Sequence, residues 1–247
     1  MRYLAMLHVT KDPETLLAAL ADFVVTRAKV CIERSGRFTI ALSGGSSPKR
    51  LYELLASDAY RNRIDWKKVY FFFGDERYVP ADHSNSNFLM ANKALFVPLS
   101  VSTEQIFAVN TLLQPSDAAS DYEQRIRKHF HNKECRFDLI LLGLGDNSHT
   151  ASLFPHTSVL HEEHALVKDI YVQEVSMYRI TFTAPLINAA HCVAFLVYGS
   201  SKAEAVANIL KGPLKIDDYP AQLINPTDGE LHWFLDGPAA ADVDEGD

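Results

Sequence analysis

Leu139-Ile140-Leu141-Leu142-Gly143-Leu144-Gly145-Asp146-Asn147-Ser148-His149-Thr150-Ala151-Ser152-Leu153-Phe154-Pro155 is the stretch on which the fold turns. An apolar run of strand type stops at two glycines, and a histidine follows where a short polar stretch hands over to another element. That is the layout of an active-site loop at a strand end.

Working outward, the same punctuation recurs. Phe38 to Leu42 is short and β-rich, ends in Ser43-Gly44-Gly45-Ser46-Ser47-Pro48, and gives way to the helical period of Leu51, Leu54 and Leu55. Val69 to Phe73 is continuously apolar, as a strand buried on both faces is, and ends in Gly74-Asp75-Glu76-Arg77. Cys192 to Tyr198 reads as another buried strand, followed by Gly199-Ser200-Ser201-Lys202 and a helix to about Leu210. Between these lie a helix capped by Asp12 with Pro13 in its first turn, helices through Phe88–Phe96 and Ser116–His129, short strands at Tyr171–Gln173 and Tyr178–Phe182, and a last strand at Leu231–Leu235. Strands alternating with helices predict an α/β fold with a largely parallel sheet covered on both faces, whose ligands bind beyond the carboxyl ends of the strands. All four polar strand-end loops would then share one edge.

Composition narrows the function classes. The chain has 247 residues, 47% of them hydrophobic, enough to bury a sizeable core, and is read as one domain over residues 1–238 with a disordered acidic tail over 239–247. A net charge of −7 without a Lys/Arg-rich block argues against nucleic acid but allows a local basic pocket for an acidic small molecule. Cys31, Cys135 and Cys192 are odd in number and form no motif, which fits a reducing, cytoplasmic setting. The apolar start at Tyr3–Val9 is too short for a signal peptide, and no run approaches the roughly 20 apolar residues of a membrane helix.

The loop residues each admit more than one chemistry. Gly44 and Gly45 let backbone approach a ligand, and Ser46, Ser47 and a helix N-terminus offer donors to an anion; a plain turn and cap is the alternative, and the Gly-Lys-Ser/Thr ending of a P-loop is missing. Asp75 could orient a base or water while Arg77 faces an anion, or the acidic pair could be a solvated turn. Gly143-Leu144-Gly145 with Ser148 is an incomplete dinucleotide fingerprint, with Glu162 or Glu163 at the distance of a ribose-binding acid. Ser43, Asp75 and His149 follow the order of a hydrolase triad, although Ala41 stands where a nucleophile elbow has glycine. His149 could equally be a general base for water, or a core or capping histidine. His161-Glu162-Glu163-His164 and the set His129, His131 and Cys135 match no zinc spacing. Arg179 and Lys202, joined to the Ser43–Ser47 turn, would supply the two cations a phosphate dianion needs.

Taken together, Leu42-Ser43-Gly44-Gly45-Ser46-Ser47-Pro48, Gly74-Asp75-Glu76-Arg77-Tyr78-Val79-Pro80 with Ser86-Asn87, and His149-Thr150-Ala151-Ser152-Leu153-Phe154-Pro155 resemble the 6-phosphogluconolactonase family. Arg179-Ile180-Thr181, Gly199-Ser200-Ser201-Lys202-Ala203 and Trp233-Phe234-Leu235-Asp236 extend the resemblance in the family's order, from about Leu16 to Ala240. It implies a three-layer αβα fold with a Rossmann-like sheet and metal-independent hydrolysis of a phosphorylated sugar lactone by a monomer or homodimer, with no cofactor and no membrane or nucleic-acid partner. It also implies that His149 activates water, that Asp75 and Arg77 line the reacting end, and that Ser43, Gly44, Gly45, Ser46, Arg179 and Lys202 hold the phosphate. The family has Asp-Gly directly before its histidine, where this chain has Asn147-Ser148, with Asp146 one place earlier. The related glucosamine-6-phosphate deaminases carry a glutamate five residues after the histidine, where this chain has Phe154.

Overall fold

The structure, a computed structural model, describes residues 5–243. Among these, strands β1 (Met6–Thr10), β2 (Phe38–Leu42), β3 (Val69–Phe73), β5 (Leu139–Leu142), β8 (Cys192–Val197) and β9 (Glu230–Asp236) pair in parallel in the order β1-β9-β8-β5-β2-β3. Three further strands, β4 (Asp75–Arg77), β6 (Val167–Val172) and β7 (Met177–Phe182), form a small antiparallel sheet in the order β4-β7-β6.

Side chains alternate across a strand, so a sheet covered on both faces needs apolar residues at every position. Phe71 and Phe73 join Ile40, Leu42, Leu139 and Leu141 on one face, under helices α1 (Pro13–Ser35), α2 (Ser46–Ala56) and α3 (Asn87–Ala91). Phe72, Ile140, Leu142, Phe195 and Trp233 turn to the other face, under α5 (Pro115–His129), α6 (Ala184–Asn188), α7 (Ala203–Leu210) and the small sheet. This is the expected three-layer arrangement with a mostly parallel centre. Helix α1 starts where its sequence says: the Asp12 carboxylate accepts from the Thr15 N–H at 2.7 Å with Pro13 behind it, and Gly36 at φ 75° ends it. Helix α3 continues through a π-helical turn (Asn92–Phe96) into α4 (Val97–Leu99), so the helix expected over Phe88–Phe96 is not regular throughout.

Other expectations change as well. The apolar start is the edge strand β1, which pairs in parallel with β9. Asp75–Arg77 is a strand rather than a loop, because Phe182 donates its N–H to Gly74 O (2.8 Å) and draws the segment onto β7. The start of the acidic tail is folded: Ala239 is fully buried, and its N–H donates to Asp236 Oδ1 at 2.9 Å. Residues 244–247 of that tail lie outside the described residues.

The strand order places the site. From β2 the chain passes to β3 on one side, whereas β5 pairs on the other side of β2. The order therefore reverses between β2 and β5, the position at which open α/β sheets form a ligand crevice. The loops leaving these two strands are Ser43–Ser47 and Gly143–His149.

Candidate active site

A cavity of about 470 Å³ opens at this edge, and it gathers Ser43, Gly44, Gly45, Ser46, Asp75, Arg77, His149, Arg179 and Lys202. Every site residue expected from the sequence thus lines one space.

On the β2 side, the buried Tyr52 hydroxyl donates to Ser43 O (2.8 Å) and accepts from Ser43 N–H (2.9 Å), pinning the turn. Gly45 sits at φ 109°, a region side chains other than glycine rarely adopt, and Gly44 packs so closely on the Asn87 amide that no Cβ would fit. Helix α2 then begins without a side-chain cap, so its first-turn N–H groups are available to an anion, reinforced by the helix dipole.

Cations come from two other loops. Lys202 follows Gly199, whose N–H donates to the Asp236 carboxylate at 3.0 Å and fixes this loop to the end of β9. The Lys202 ammonium rests on Asp146 Oδ1 at 2.5 Å. Arg179 stands opposite Arg77 in the β4–β7 register, with Nη1 4.0 Å from Asp75 Oδ2 and a buried Nε that has no hydrogen-bond partner. Arg77 is tethered through Nη1 to Asn85 O at 2.8 Å.

Asp75 is buried and fully engaged. It accepts from Ser152 Oγ at 2.7 Å and from Asn87 Nδ2 at 3.2 Å. Its neighbour Glu76 is structural: its carboxylate accepts from the N–H groups of Arg77, Asn87 and Phe88 and from Ser86 Oγ, holding the start of α3. Burial raises the Glu76 pKa, and these backbone N–H groups oppose the shift.

His149 sits on a tight turn in which Gly145 N–H donates to His149 O (2.8 Å) and Ser148 adopts φ 64°. Its ring stacks on Phe154 with centroids 4.0 Å apart. Nδ1 lies 2.5 Å from Asn147 Oδ1, and since a carbonyl oxygen only accepts, Nδ1 carries the proton and Nε2 keeps a lone pair. Burial, with Arg179 and Lys202 adding to it against Asp75 and Asp146, lowers its pKa to about 4. The imidazole is neutral at ordinary pH.

The arrangement decides among the sequence readings. The Ser43 hydroxyl donates to Gly44 O, Asp75 engages Ser152 and Asn87, and His149 engages Asn147, so the triad is not assembled. No helix follows Gly143-Leu144-Gly145, which removes the anion site a dinucleotide fingerprint requires, and Glu162 instead accepts from the His164 and Ala165 N–H groups. Among the described residues, one set has metal-ligand proximity, Cys192 with Glu230 and His232 at the opposite end of the strands, and there Arg27 pairs with Glu230. Sequence reasoning missed the bonds of Ser152 and Asn87 to Asp75 and of Asn147 to Glu174, which arise from chain crossings rather than from motif spacing.

One pH effect follows from burial. His149 and the half-buried His129 both have pKa values lowered to about 4. Their unfolded values lie near 6.5, so the unfolded chain binds more protons between those limits. Stability is full above about pH 6.5 and falls as pH drops toward about 4, by up to about 1.4 kcal/mol per pH unit for each histidine. Urea unfolding across this range should show that decline, and His129→Gln should remove part of the slope; a stability flat from pH 7 to pH 4 would contradict it.

Known proteins share this sequence and fold. A family model for glucosamine-6-phosphate isomerases/6-phosphogluconolactonase matches residues 11–233. A 6-phosphogluconolactonase of Nostoc sp. is 42% identical over 240 residues, covering 96% of this chain and 97% of that protein. Another, from Synechocystis sp., is 42% identical over 224 residues, covering 89% and 90%. The solved 6-phosphogluconolactonase of Trypanosoma cruzi superposes with a TM-score of 0.88 at 26% identity, over 98% of each chain. With the sequence matched over nearly its whole length, the chain belongs to the glucosamine-6-phosphate isomerase/6-phosphogluconolactonase family.

Proposed function

We propose that this protein hydrolyses 6-phosphoglucono-δ-lactone to 6-phosphogluconate, the lactonase step of the oxidative pentose phosphate pathway. The observation that carries the reading is a neutral His149, with its Nε2 lone pair free, in the same cavity as a helix N-terminus, Lys202, Arg179 and Arg77.

A lactone is an activated cyclic ester, so a positioned base and an electropositive site suffice, and no metal or cofactor is called on. Water attacks C1 while His149 Nε2 takes its proton, a transfer that contributes roughly 10²- to 10⁴-fold. Arg77 or backbone N–H groups receive the developing oxyanion. The bond from C1 to the ring oxygen then breaks, and the imidazolium returns the proton to that oxygen. Asp75 steadies Arg179 and favours the imidazolium as it forms. The N-terminus of α2 with Ser43–Ser46, Arg179 and Lys202 hold the distant phosphate, whose binding energy sets C1 beside the water.

The deaminase alternative is disfavoured by Phe154, an apolar ring stacked on His149 at the position of that reaction's glutamate. A sugar-phosphate sensor would need no base at all. The buried, unpaired cysteines fit a reducing, cytoplasmic setting, and among the described residues no helix is long and apolar enough to cross a membrane. Purified protein should accelerate disappearance of fresh 6-phosphogluconolactone above its spontaneous hydrolysis while releasing no ammonia from glucosamine 6-phosphate. Ammonia release without lactone hydrolysis would favour the deaminase, and inactivity on both would favour the sensor.

A further inference from the structure

An asparagine amide is nearly symmetric in shape but not in chemistry. If Asn147 presents Oδ1 to the His149 ring, Nδ1 must donate and Nε2 keeps its lone pair. If it presents Nδ2, Nδ1 must accept, the proton moves to Nε2, and the base facing the cavity is lost. A carboxylate at this position could not make that error, since both of its oxygens accept.

What holds the amide is at its other end. Asn147 Nδ2 donates to Glu174 Oε2 at 2.9 Å. Glu174 comes from a different part of the fold, the 3₁₀ turn (Gln173–Val175) that joins β6 to β7, and both Glu174 and Val175 line the cavity mouth. An ionised carboxylate accepts only, so it selects the NH₂ end and turns Oδ1 toward the ring. The His149 backbone N–H, 3.4 Å from the same Oδ1, adds a long second contact in the same sense.

We propose that Glu174 is a positioning residue for His149: it fixes the Asn147 amide and thereby keeps the ring proton on Nδ1 and the lone pair on Nε2. The proposal rests on the lactonase reading for its kinetic consequence, but the tautomer can be read without any substrate.

The test is a set of variants with two readouts. In protein carrying ¹⁵N-labelled histidine, wild-type His149 should show the Nδ1–H tautomer at pH 7, and Glu174→Ala should shift it toward Nε2–H. On the lactone, Glu174→Ala should lower kcat about tenfold, with KM within about twofold, a barrier increase of about 1.4 kcal/mol. Glu174→Gln, whose Oε1 still accepts, should keep kcat within about threefold of wild type. The decisive comparison uses Asn147→Asp. There Glu174→Ala should not lower kcat, because an aspartate needs no orientation and is relieved of a like charge. The proposal is overturned if wild-type His149 carries its proton on Nε2, if Glu174→Ala leaves tautomer and kcat unchanged, or if Glu174→Ala is equally harmful in both backgrounds. A tautomer shift in a protein with no lactonase activity would instead uphold the positioning role and refute the proposed substrate.

Discussion

Replacing His149 with alanine is expected to lower kcat on 6-phosphogluconolactone by at least about 100-fold while KM changes by less than about threefold. The split follows from where the residue sits. His149 lies on the β5 loop, whereas the proposed phosphate contacts come from the α2 N-terminus, β7 and the Gly199–Lys202 turn. Removing the imidazole therefore takes away the proton acceptor used in the transition state and leaves ground-state contacts in place. Phe154 would lose its stacking partner, so folding should be checked by unfolding midpoint alongside the assay. Near-normal turnover in folded protein would remove His149 from the chemistry.

Lys202→Ala is expected to raise KM for the phosphorylated lactone at least about tenfold and to leave the slower hydrolysis of unphosphorylated gluconolactone within about twofold. A hydrogen bond to a charged group contributes about 1.5–3 kcal/mol, which is about 10- to 100-fold in affinity. The lower end applies because Lys202 already rests on Asp146 and its side chain is 22% exposed, so substrate phosphate exchanges one anionic partner for another in a partly solvated place. Steady-state kinetics on the two lactones make the comparison internal. Equal losses on both would point to damage at the reacting end or to the fold, and would remove Lys202 from the phosphate site.

Much of this architecture is legible in the sequence because burial on both faces leaves a plain mark. Phe71, Phe72 and Phe73 can only be consecutive where neither face meets water, and their alternation between the two cores is what the structure shows. Glycines at strand ends are equally legible, and they gather the loops at one edge as a parallel sheet requires. The misses have physical causes. In β1, Met6, Leu7 and Val9 are partly exposed at a sheet edge, so the strand lacks the pattern of a covered one. The charges of β4 suggest a solvated turn, but Asp75 and Glu76 are buried because donors from Ser86, Asn87, Phe88 and Ser152 satisfy them. In β6, Lys168 and Asp169 interrupt the apolar pattern, yet pairing with β7 carries the strand through them. Asn147 is conspicuous by its place two residues before His149, whereas the bond to Glu174 joins residues 27 positions apart in sequence and has no local signature.

The most direct measurement is the disappearance of freshly made 6-phosphogluconolactone with and without purified protein, each trace corrected for spontaneous hydrolysis and repeated with His149→Ala. The expected result is a saturable acceleration by wild type that the variant loses with its KM little changed. No acceleration by folded wild-type protein, or an acceleration that His149→Ala retains in full, would contradict a lactonase that works through this histidine.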